Sequence, residues 1–268
     1  MKAIVSHDID HLTFSEHYLN DFIVPKYVIR NHIELVTGKI SFTEFINRVG
    51  DVFKNQWQHI EATHQFNANH KVPSTFFIGV NQGMGLNYSR QQSSYWIGKI
   101  LELGCNIGSH GIEYENFEKI NSEYLQFKKE SQLNSFGTRL HYIRKTDNTF
   151  SNMAKVGYSY DSSEMGFKAP YKIGDMWEFP FQIMDGWVIE NGKKWQSLNL
   201  KTAKQNTLKL IDKAQQQNLN YLGIDFHDRY FSHAFKTWLD WYMWLIEYLK
   251  TNKIEFVNFK TAIVELEK

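Results

Sequence analysis

The sequence has little cysteine: Cys105 is the only one among 268 residues. A single thiol excludes an internal disulfide framework and any metal site built from several cysteines. Its position in the mostly apolar run 101–107 favours a buried structural thiol over a reactive one. Neither sign of charge is in excess, since 30 Lys and Arg are present with 29 Asp and Glu. The basic surplus typical of nucleic-acid binders is therefore missing, and we expect no nucleic-acid partner.

Long hydrophobic runs are missing as well. The longest, such as 241–246, are far shorter than the ~20 residues that span a bilayer, so we expect no transmembrane segment. The first residues lack the apolar core and cleavage site of a signal peptide, which favours a cytoplasmic location. Only 4 prolines and 16 glycines occur, against 20 Phe, 14 Tyr and 8 Trp. This composition excludes a disordered or low-complexity chain and is typical of an enzyme or a ligand-binding protein.

Short β-like runs alternate with helical stretches along the chain. Strands are predicted at 3–6, 74–80, 105–109, 137–143, 158–161, 178–184, 221–226 and 255–258. Helices are predicted at 42–59, 95–103, 121–133, 149–155, 202–217 and 235–250, and a last one at the C-terminus. Ser41 and Glu44 have the spacing of a capping box. The alternation predicts an α/β fold, namely a closed or nearly closed (β/α) barrel of about seven parallel strands in a single domain spanning 1–268.

Asp and His residues gather where three of the predicted strands end. Asp8 and Asp10 follow the first strand and share one face of an extended chain, because they are two residues apart. His110 and His227 each follow a β-like run directly. The C-terminal ends of barrel strands meet at one edge, so the pattern predicts a site for metal binding and proton transfer. Taken singly, each motif also fits a structural role, as a helix-capping Asp or a hydrogen-bonded His.

Two further regions are candidates for the same site. Arg139 lies in the predicted strand 137–143 and could keep a catalytic carboxylate ionised through paired hydrogen bonds. A surface arginine on a strand fits the local sequence equally well. Lys168, Tyr171 and Trp177 could form an aromatic wall suited to a sugar ring, with packed core as the alternative.

The order of these motifs resembles that of the polysaccharide deacetylases, the NodB-homology group also called carbohydrate esterase family four. The segments that carry the resemblance are, in chain order, 7–10 (an Asp-x-Asp variant of the first motif), 72–77 (similar to Pro-Ala-Thr-Phe-Phe), 106–110 (the segment with a metal-binding His), 139–142 (Arg-x-Pro-Tyr with His141 for Pro), 168–171 (the same motif with Lys for Arg) and 224–228 (the final motif). The resemblance implies a NodB-like distorted barrel. Three other segments, at 85–89, 157–163 and 177–181, are similar to an offshoot found among cell-surface-glycan genes, such as those for O-antigen and lipopolysaccharide biosynthesis.

The resemblance also implies an activity, the hydrolysis of a C–N amide bond that removes an N-acyl group, most simply acetyl, from a sugar or cell-surface glycan precursor. Asp8 would act as the base, and Arg139 would keep that carboxylate charged and oriented. His227 would protonate the leaving amine, with Asp225 or Asp228 tuning it. The substrate-binding residues would be His141, Lys168, Tyr171 and Trp177.

Asp10 and His110 would bind a divalent cation, most simply zinc, by the same resemblance. The family's site usually contains a second His four residues after the first, and here Tyr114 occupies that position. The candidates for the third ligand are Glu113, His11, His141, Asp185 and a water molecule. The missing His leaves two rival functions open, a catalytically weak or inactive glycan-binding homologue and a hydrolase of small amides.

Overall fold

The structure is a computed structural model that describes residues 1–18, 22–193 and 195–268. The strands in this part of the chain are β1 (Lys2–Ile9), β2 (Thr75–Ile78), β3 (Asn106–Gly111), β4 (Thr138–Leu140), β5 (Tyr160–Asp161), β6 (Tyr171–Ile173), β7 (Met176–Glu178), β8 (Ile183–Met184), β9 (Tyr221–Asp225) and β10 (Phe256–Val257). The α-helices are α1 (Ile23–Val36), α2 (Phe42–Lys54), α3 (Ile60–Asn69), α4 (Arg90–Glu102), α5 (Phe117–Ser131), α6 (Thr149–Val156), α7 (Leu200–Gln216), α8 (Lys236–Thr251) and α9 (Phe259–Leu266). Every predicted strand and helix overlaps an observed element, so the predicted alternation is confirmed.

The strands form one sheet in the order β6-β7-β5-β4-β3-β2-β1-β9-β8, and β10 pairs with the first half of β1. All of these pairings are parallel except that of β6 with β7. Parallel neighbours need a crossover, and helices supply most of these connections. The C-terminal ends of β1, β2, β3, β4 and β9 therefore meet at one edge.

The sheet curls until the segment 176–184 joins its two sides. Backbone N–H groups of this segment donate first to the Asp161 carbonyl (2.8 Å) and then to the Gly223 carbonyl (3.0 Å). Pro180 lies between the two halves and has no N–H, so the strand predicted at 178–184 is instead two short strands, β7 and β8. When β7 and β8 are counted together as one position of the barrel, seven strands surround the interior. The predicted distorted barrel is therefore confirmed.

Two of the predicted element ends differ in the structure. The helix predicted at 42–59 ends at Lys54, because Asn55 adopts a left-handed conformation (φ 53°). The extended run predicted at 137–143 ends at Leu140 and continues as the 3-10 turn His141–Ile143, with positive φ at Tyr142 and Ile143. The capping box of Ser41 and Glu44 is confirmed.

The aromatic helix α8 belongs to the core, where Trp238, Trp241 and Tyr242 are fully buried. They pack in the largest apolar cluster with residues of β1, β9 and α7. Among the helices of the described residues, none combines the length and the apolar character that a membrane crossing requires.

Candidate active site

The first strand sends alternate side chains into the barrel. Ser6, Asp8 and Asp10 are two residues apart from one another and share this face, and all three are buried. His7 lies on the other face, where its Nδ1 is 2.8 Å from the Phe226 carbonyl and its Nε2 contacts the amide of Asn67. His7 is therefore a hydrogen-bonded structural residue, whereas the two aspartates face the interior.

Arg139 lies on β4, and its guanidinium is fully buried at the centre of the interior. Its Nη1 donates to Ser6 Oγ (2.7 Å), Asp8 Oδ1 (3.1 Å) and Asp225 Oδ1 (2.7 Å). The Phe77 and Phe181 rings lie near the guanidinium, with centroids 4.8 and 4.9 Å from Cζ. Arg139 is thus a buried interior residue, not a surface one, and it fixes the orientation of the Asp8 carboxylate.

Asp10, His110 and His141 bring three ligand atoms together. Asp10 Oδ1 is 3.3 Å from His110 Nε2 and 3.3 Å from His141 Nδ1, and the two nitrogens are 3.0 Å apart. Zinc–ligand bonds of roughly 2.0–2.2 Å in tetrahedral geometry place neighbouring ligand atoms about 3.3–3.5 Å apart. The three atoms therefore have nearly the spacing of one face of a zinc coordination tetrahedron.

The hydrogen bonds of both imidazoles leave lone pairs facing this centre. His110 Nδ1–H donates to the Arg139 carbonyl (3.0 Å), and His141 Nε2–H donates to the Met84 carbonyl (3.1 Å). The opposite ring nitrogens therefore present lone pairs to Asp10 Oδ1, which is buried and has no hydrogen-bond partner among the described residues. With both imidazoles neutral, two nitrogen lone pairs and a carboxylate oxygen converge on one point, so these residues fit a divalent metal.

Tyr114 occupies the position where the resembling family has its second metal His, and it belongs to a different part of the structure. Its side chain packs against the apolar cluster around β2, β3 and α5. Its carbonyl accepts a hydrogen bond from Thr149. Of the alternatives for the third ligand, His141 lies beside Asp10 and His110. Asp185 instead accepts hydrogen bonds from His227.

His227 follows β9 and is held by Asp185, which follows β8. Asp185 accepts hydrogen bonds from the backbone N–H of His227 (2.8 Å) and from its Nδ1–H (2.8 Å). The Nε2 atom of His227 faces Asp10 Oδ2 at 3.6 Å. Although burial opposes the charged imidazole, the negative charges of Asp185 and Asp10 raise the pKa of His227 well above its ordinary value. The two hydrogen bonds to Asp185 thereby orient the His227 imidazole.

Asp225 and Asp228 were the predicted partners of His227, and neither is hydrogen-bonded to it. Asp225 binds Arg139, and Asp228 accepts the backbone N–H of His59 (2.8 Å). Burial raises the pKa of Asp225 to about 7, helped by the nearby charge of Asp8. The prediction missed Asp185 in this role because the barrel closure, and not the order of the chain, brings β8 beside β9.

A cavity of about 330 Å³ opens above these residues at the C-terminal ends of the strands. Asp8, Asp10, His110, Arg139, His141 and His227 all line it. At its rim, Tyr142 and Trp187 are 63% and 52% exposed. The structure thus brings the predicted catalytic and metal residues into one cavity, together with His141.

Lys168, Tyr171 and Trp177 do not line this cavity. The Lys168 amine and the Tyr171 hydroxyl both donate to Glu164 at 2.7 Å, and Trp177 Nε1 donates to Glu267 at 3.3 Å. These residues precede or form the β6–β7 hairpin, whose strand β7 pairs with β5. We therefore leave these three residues out of the proposed site.

The lone cysteine keeps the structural role predicted for it. Cys105 is half-buried beside His64, with 2.9 Å between Sγ and Nδ1. Burial raises the pKa of the thiol to about 11, so little reactive thiolate forms at neutral pH.

No family model matches the chain, and no curated protein sequence matches it significantly. Solved structures do match it. A Mycobacterium smegmatis structure named as a polysaccharide deacetylase is 13% identical, with 98% of this chain and 88% of that chain covered and a TM-score of 0.66. One from Pseudomonas aeruginosa, also named so, is 16% identical over 76% of this chain and 71% of that chain, with a TM-score of 0.58.

A third similar structure is a pseudoenzyme of carbohydrate esterase family four from Bacillus anthracis, 7% identical, with 97% of this chain and 64% of that chain covered and a TM-score of 0.52. At such low identities the comparisons speak to the fold, which active and inactive proteins share. The chain therefore has the fold of the polysaccharide deacetylases, as the order of its motifs predicted.

Proposed function

We propose that this protein is a metal-dependent amide hydrolase that removes an N-acyl group, most simply acetyl, from a sugar or glycan precursor. The observation that carries the proposal is the convergence of Asp10, His110 and His141, next to Asp8 and His227, in one cavity. In this proposal, residues 1–268 act as one catalytic domain. The fold likeness adds support, because two of the similar structures are named as deacetylases.

Asp10, His110 and His141 would hold the cation, most simply zinc, through one carboxylate oxygen and two imidazole nitrogens. When bound there, zinc supplies Lewis-acid activation of an amide carbonyl and of water. His141 thereby takes the place of the family's second His, and its role changes from substrate binding, as first predicted, to metal binding.

Asp8 is the base in this mechanism. Its Oδ1 accepts a hydrogen bond from Arg139, and the carboxylate lines the cavity beside the metal-binding residues. Asp8 takes a proton from the attacking water as the new C–O bond forms at the amide carbonyl. Arg139 stabilises the Asp8 carboxylate before this proton transfer, because the guanidinium is buried and its position is fixed by Ser6 and Ser162.

His227 is the acid. Asp185 holds its Nδ1–H, so the Nε2–H points into the cavity and can pass a proton to the amine nitrogen as the C–N bond breaks. The products are a free carboxylic acid and an amino sugar. Asp8 then holds the proton from water, and exchange with solvent returns both side chains to their starting states.

The test is acetate release from N-acetylglucosamine oligomers by protein that has been stripped with a chelator and reloaded with zinc. We expect release by the reloaded protein, none after stripping, and a loss of at least ~100-fold in Asp8→Asn and His227→Ala. Asp240→Asn, which alters a partly exposed carboxylate on α8 outside the cavity, is the matched control and keeps full activity. Unchanged turnover in Asp8→Asn would contradict the mechanism.

The same assay separates the rivals. Glycan binding without acetate release by the zinc-loaded protein would favour an inactive homologue. Release from small amides, with no release from sugars, would favour a small-amide hydrolase.

A further inference from the structure

Arg229 is a cation at the metal-binding corner for which the proposed mechanism has no use. It lies on the 3-10 turn Asp228–Tyr230, directly after His227, and lines the cavity. Its Nη2 donates to the Tyr230 hydroxyl (2.9 Å), and its Cζ lies 4.6 Å from the centroid of the Tyr230 ring. The side chain is therefore held in place on one side only.

The rest of the guanidinium lacks hydrogen-bond acceptors. Its Nε is buried and has no partner among the described residues. Its Nη1 is 3.5 Å from Asp10 Oδ2, which is longer than a good charge-assisted hydrogen bond of about 2.7–2.9 Å. Leaving the buried Nε–H group of a charged side chain without an acceptor costs free energy. We therefore expect a bound group to provide the missing acceptor.

The charges nearby indicate what that acceptor is. Asp10 is the carboxylate facing Arg229, and it also faces His227 at 3.6 Å. A divalent cation held by Asp10 would largely compensate that carboxylate, and the Arg229 guanidinium would then lack its nearest counter-charge. Lys193 adds another cation to the lining. The other carboxylates of the lining already have cationic or imidazole partners: Asp8 and Asp225 contact Arg139, Asp185 contacts His227, and Glu190 contacts Arg30. The incompletely paired guanidinium of Arg229 therefore favours an anion over a neutral group.

We propose that Arg229 binds an anionic substituent of the sugar, a carboxylate or a phosphate, close to the acylamino group. This inference rests on the proposed function and narrows its substrate to acidic N-acyl sugars. Arg229 is then a specificity residue: the Nε–H and free Nη–H groups donate to the anionic oxygens, which no neutral hydroxyl replaces. The bound anion also screens the positive charge of the guanidinium from the positive charge of the metal-binding centre.

Binding is measured by isothermal titration calorimetry on zinc-loaded Asp8→Asn protein, which does not turn over the ligands. The ligands are N-acetylglucosamine, its 6-phosphate and N-acetylglucosaminuronic acid. We expect one or both acidic ligands to bind at least tenfold more tightly than the neutral sugar. The affinities of the two acidic ligands show whether the site prefers a carboxylate or a phosphate.

Arg229→Gln, added to this protein, should remove the preference and change the affinity for the neutral sugar less than threefold. Lys236→Gln, which removes an exposed cation on α8 outside the cavity, is the matched control and should keep the preference. Arg229→Lys, which keeps the charge but loses the planar donor set, should retain part of it and covers the case in which Arg229→Gln does not fold.

Equal binding of neutral and acidic ligands, or a preference that survives Arg229→Gln, would overturn the proposal. Tighter zinc binding by Arg229→Gln with no change in ligand preference would also overturn it, because Arg229 would then serve only as a counter-ion for Asp10. Acetate release from the neutral sugar and the acidic sugars at equal rates in wild-type protein would leave the hydrolase function intact and refute the acidic substrate. Absence of release from all of them would contradict the hydrolase, whereas the calorimetry would still decide whether Arg229 binds an anion.

Discussion

His141 stands where the resembling motif has proline, and its imidazole lies against Asp10 and His110. The turn that carries it is unusual, because Tyr142 and the β-branched Ile143 both have positive φ (58° and 48°). Such backbone conformations cost energy and often mark functional sites. In the proposed metal site, His141 therefore stands in for the second histidine of the resembling motif, whose position Tyr114 occupies.

Replacing His141 by Ala should lower the affinity for zinc at least ~100-fold, since even the residues that orient metal ligands are worth roughly 10–100-fold. The affinity is measured by competition with a chromophoric chelator. Tyr114→Phe is the control and should leave it unchanged, because that ring packs in an apolar cluster. Equal affinities of wild type and His141→Ala would exclude His141 as a ligand.

Among the single elements, helix α2 buries part of its polar face and leaves apolar side chains exposed. Phe42 and Phe53 are exposed, whereas Glu44 and Arg48 are buried. Arg48 donates to the Ala234 carbonyl (2.7 Å) and forms an ion pair with Glu34 of α1. The helix therefore packs through polar contacts, because its ionic partners on neighbouring elements lie on that side.

Arg48→Met should lower the free energy of unfolding by about 3 kcal/mol, because the change breaks a fully buried ion pair and leaves the Ala234 carbonyl without its donor. Phe53→Ser, on the exposed face of the same helix, should change it by less than ~0.5 kcal/mol. Both are measured by urea unfolding. A larger loss in Phe53→Ser than in Arg48→Met would contradict the orientation of α2.

Asp161 of β5 and Glu178 of β7 are opposite each other in register and both fully buried. Burial raises the pKa of both carboxyls, and the charge of Asp161 raises that of Glu178 further. The folded pair therefore retains a proton that the unfolded chain releases above about pH 4. Stability should fall as the pH rises above that value.

Glu178→Gln removes this titration, and the introduced amide can donate to Asp161. The variant should gain stability over wild type at pH 8, on the order of 1 kcal/mol, and less at pH 5. Urea unfolding at the two pH values measures the difference. Glu61→Gln, at an exposed salt bridge on α3, is the control. A gain of the same size at both pH values would contradict the shared proton.

The whole molecule depends on the closure of the barrel by the segment 176–184. Gly223 of β9 lies so close to this segment that a Cβ atom there would be 2.7 Å from Phe181 Cα. Phe181 in turn packs on the Arg139 guanidinium at the centre of the site. The contact of Gly223 with Phe181 therefore connects the closure of the barrel to the position of Arg139 in the candidate site.

Gly223→Ala should cost about 1–3 kcal/mol in the free energy of unfolding, since backbone atoms at the contact must shift. It should also lower acetate release under conditions in which the protein is still folded. Gly98→Ala, in α4 with nothing within 4 Å, is the control and should be neutral or stabilising by roughly 0.5–1 kcal/mol. Full activity and stability of Gly223→Ala would contradict this link.

Local features of the sequence were enough to predict the alternation of elements and the strand ends that hold Asp8, Asp10, His110, Arg139 and His227. Both follow from local rules: hydrophobic periodicity, side-chain alternation, and the parallel strands that bring C-terminal ends to one edge. The resemblance to the deacetylase motifs left the third ligand open among Glu113, His11, His141, Asp185 and a water molecule. Chain order could not choose among them, because it does not show which of these residues lies beside Asp10 and His110.

Tertiary structure alone decided which distant groups meet. The closure of the barrel brings Asp185 to His227. Three residues predicted to bind substrate lie outside the cavity, namely Lys168, Tyr171 and Trp177. The ionic partners of α2, and not its apolar stripe, set which face is buried. Contacts of this kind depend on the register and curvature of the whole sheet, which no short stretch of sequence encodes.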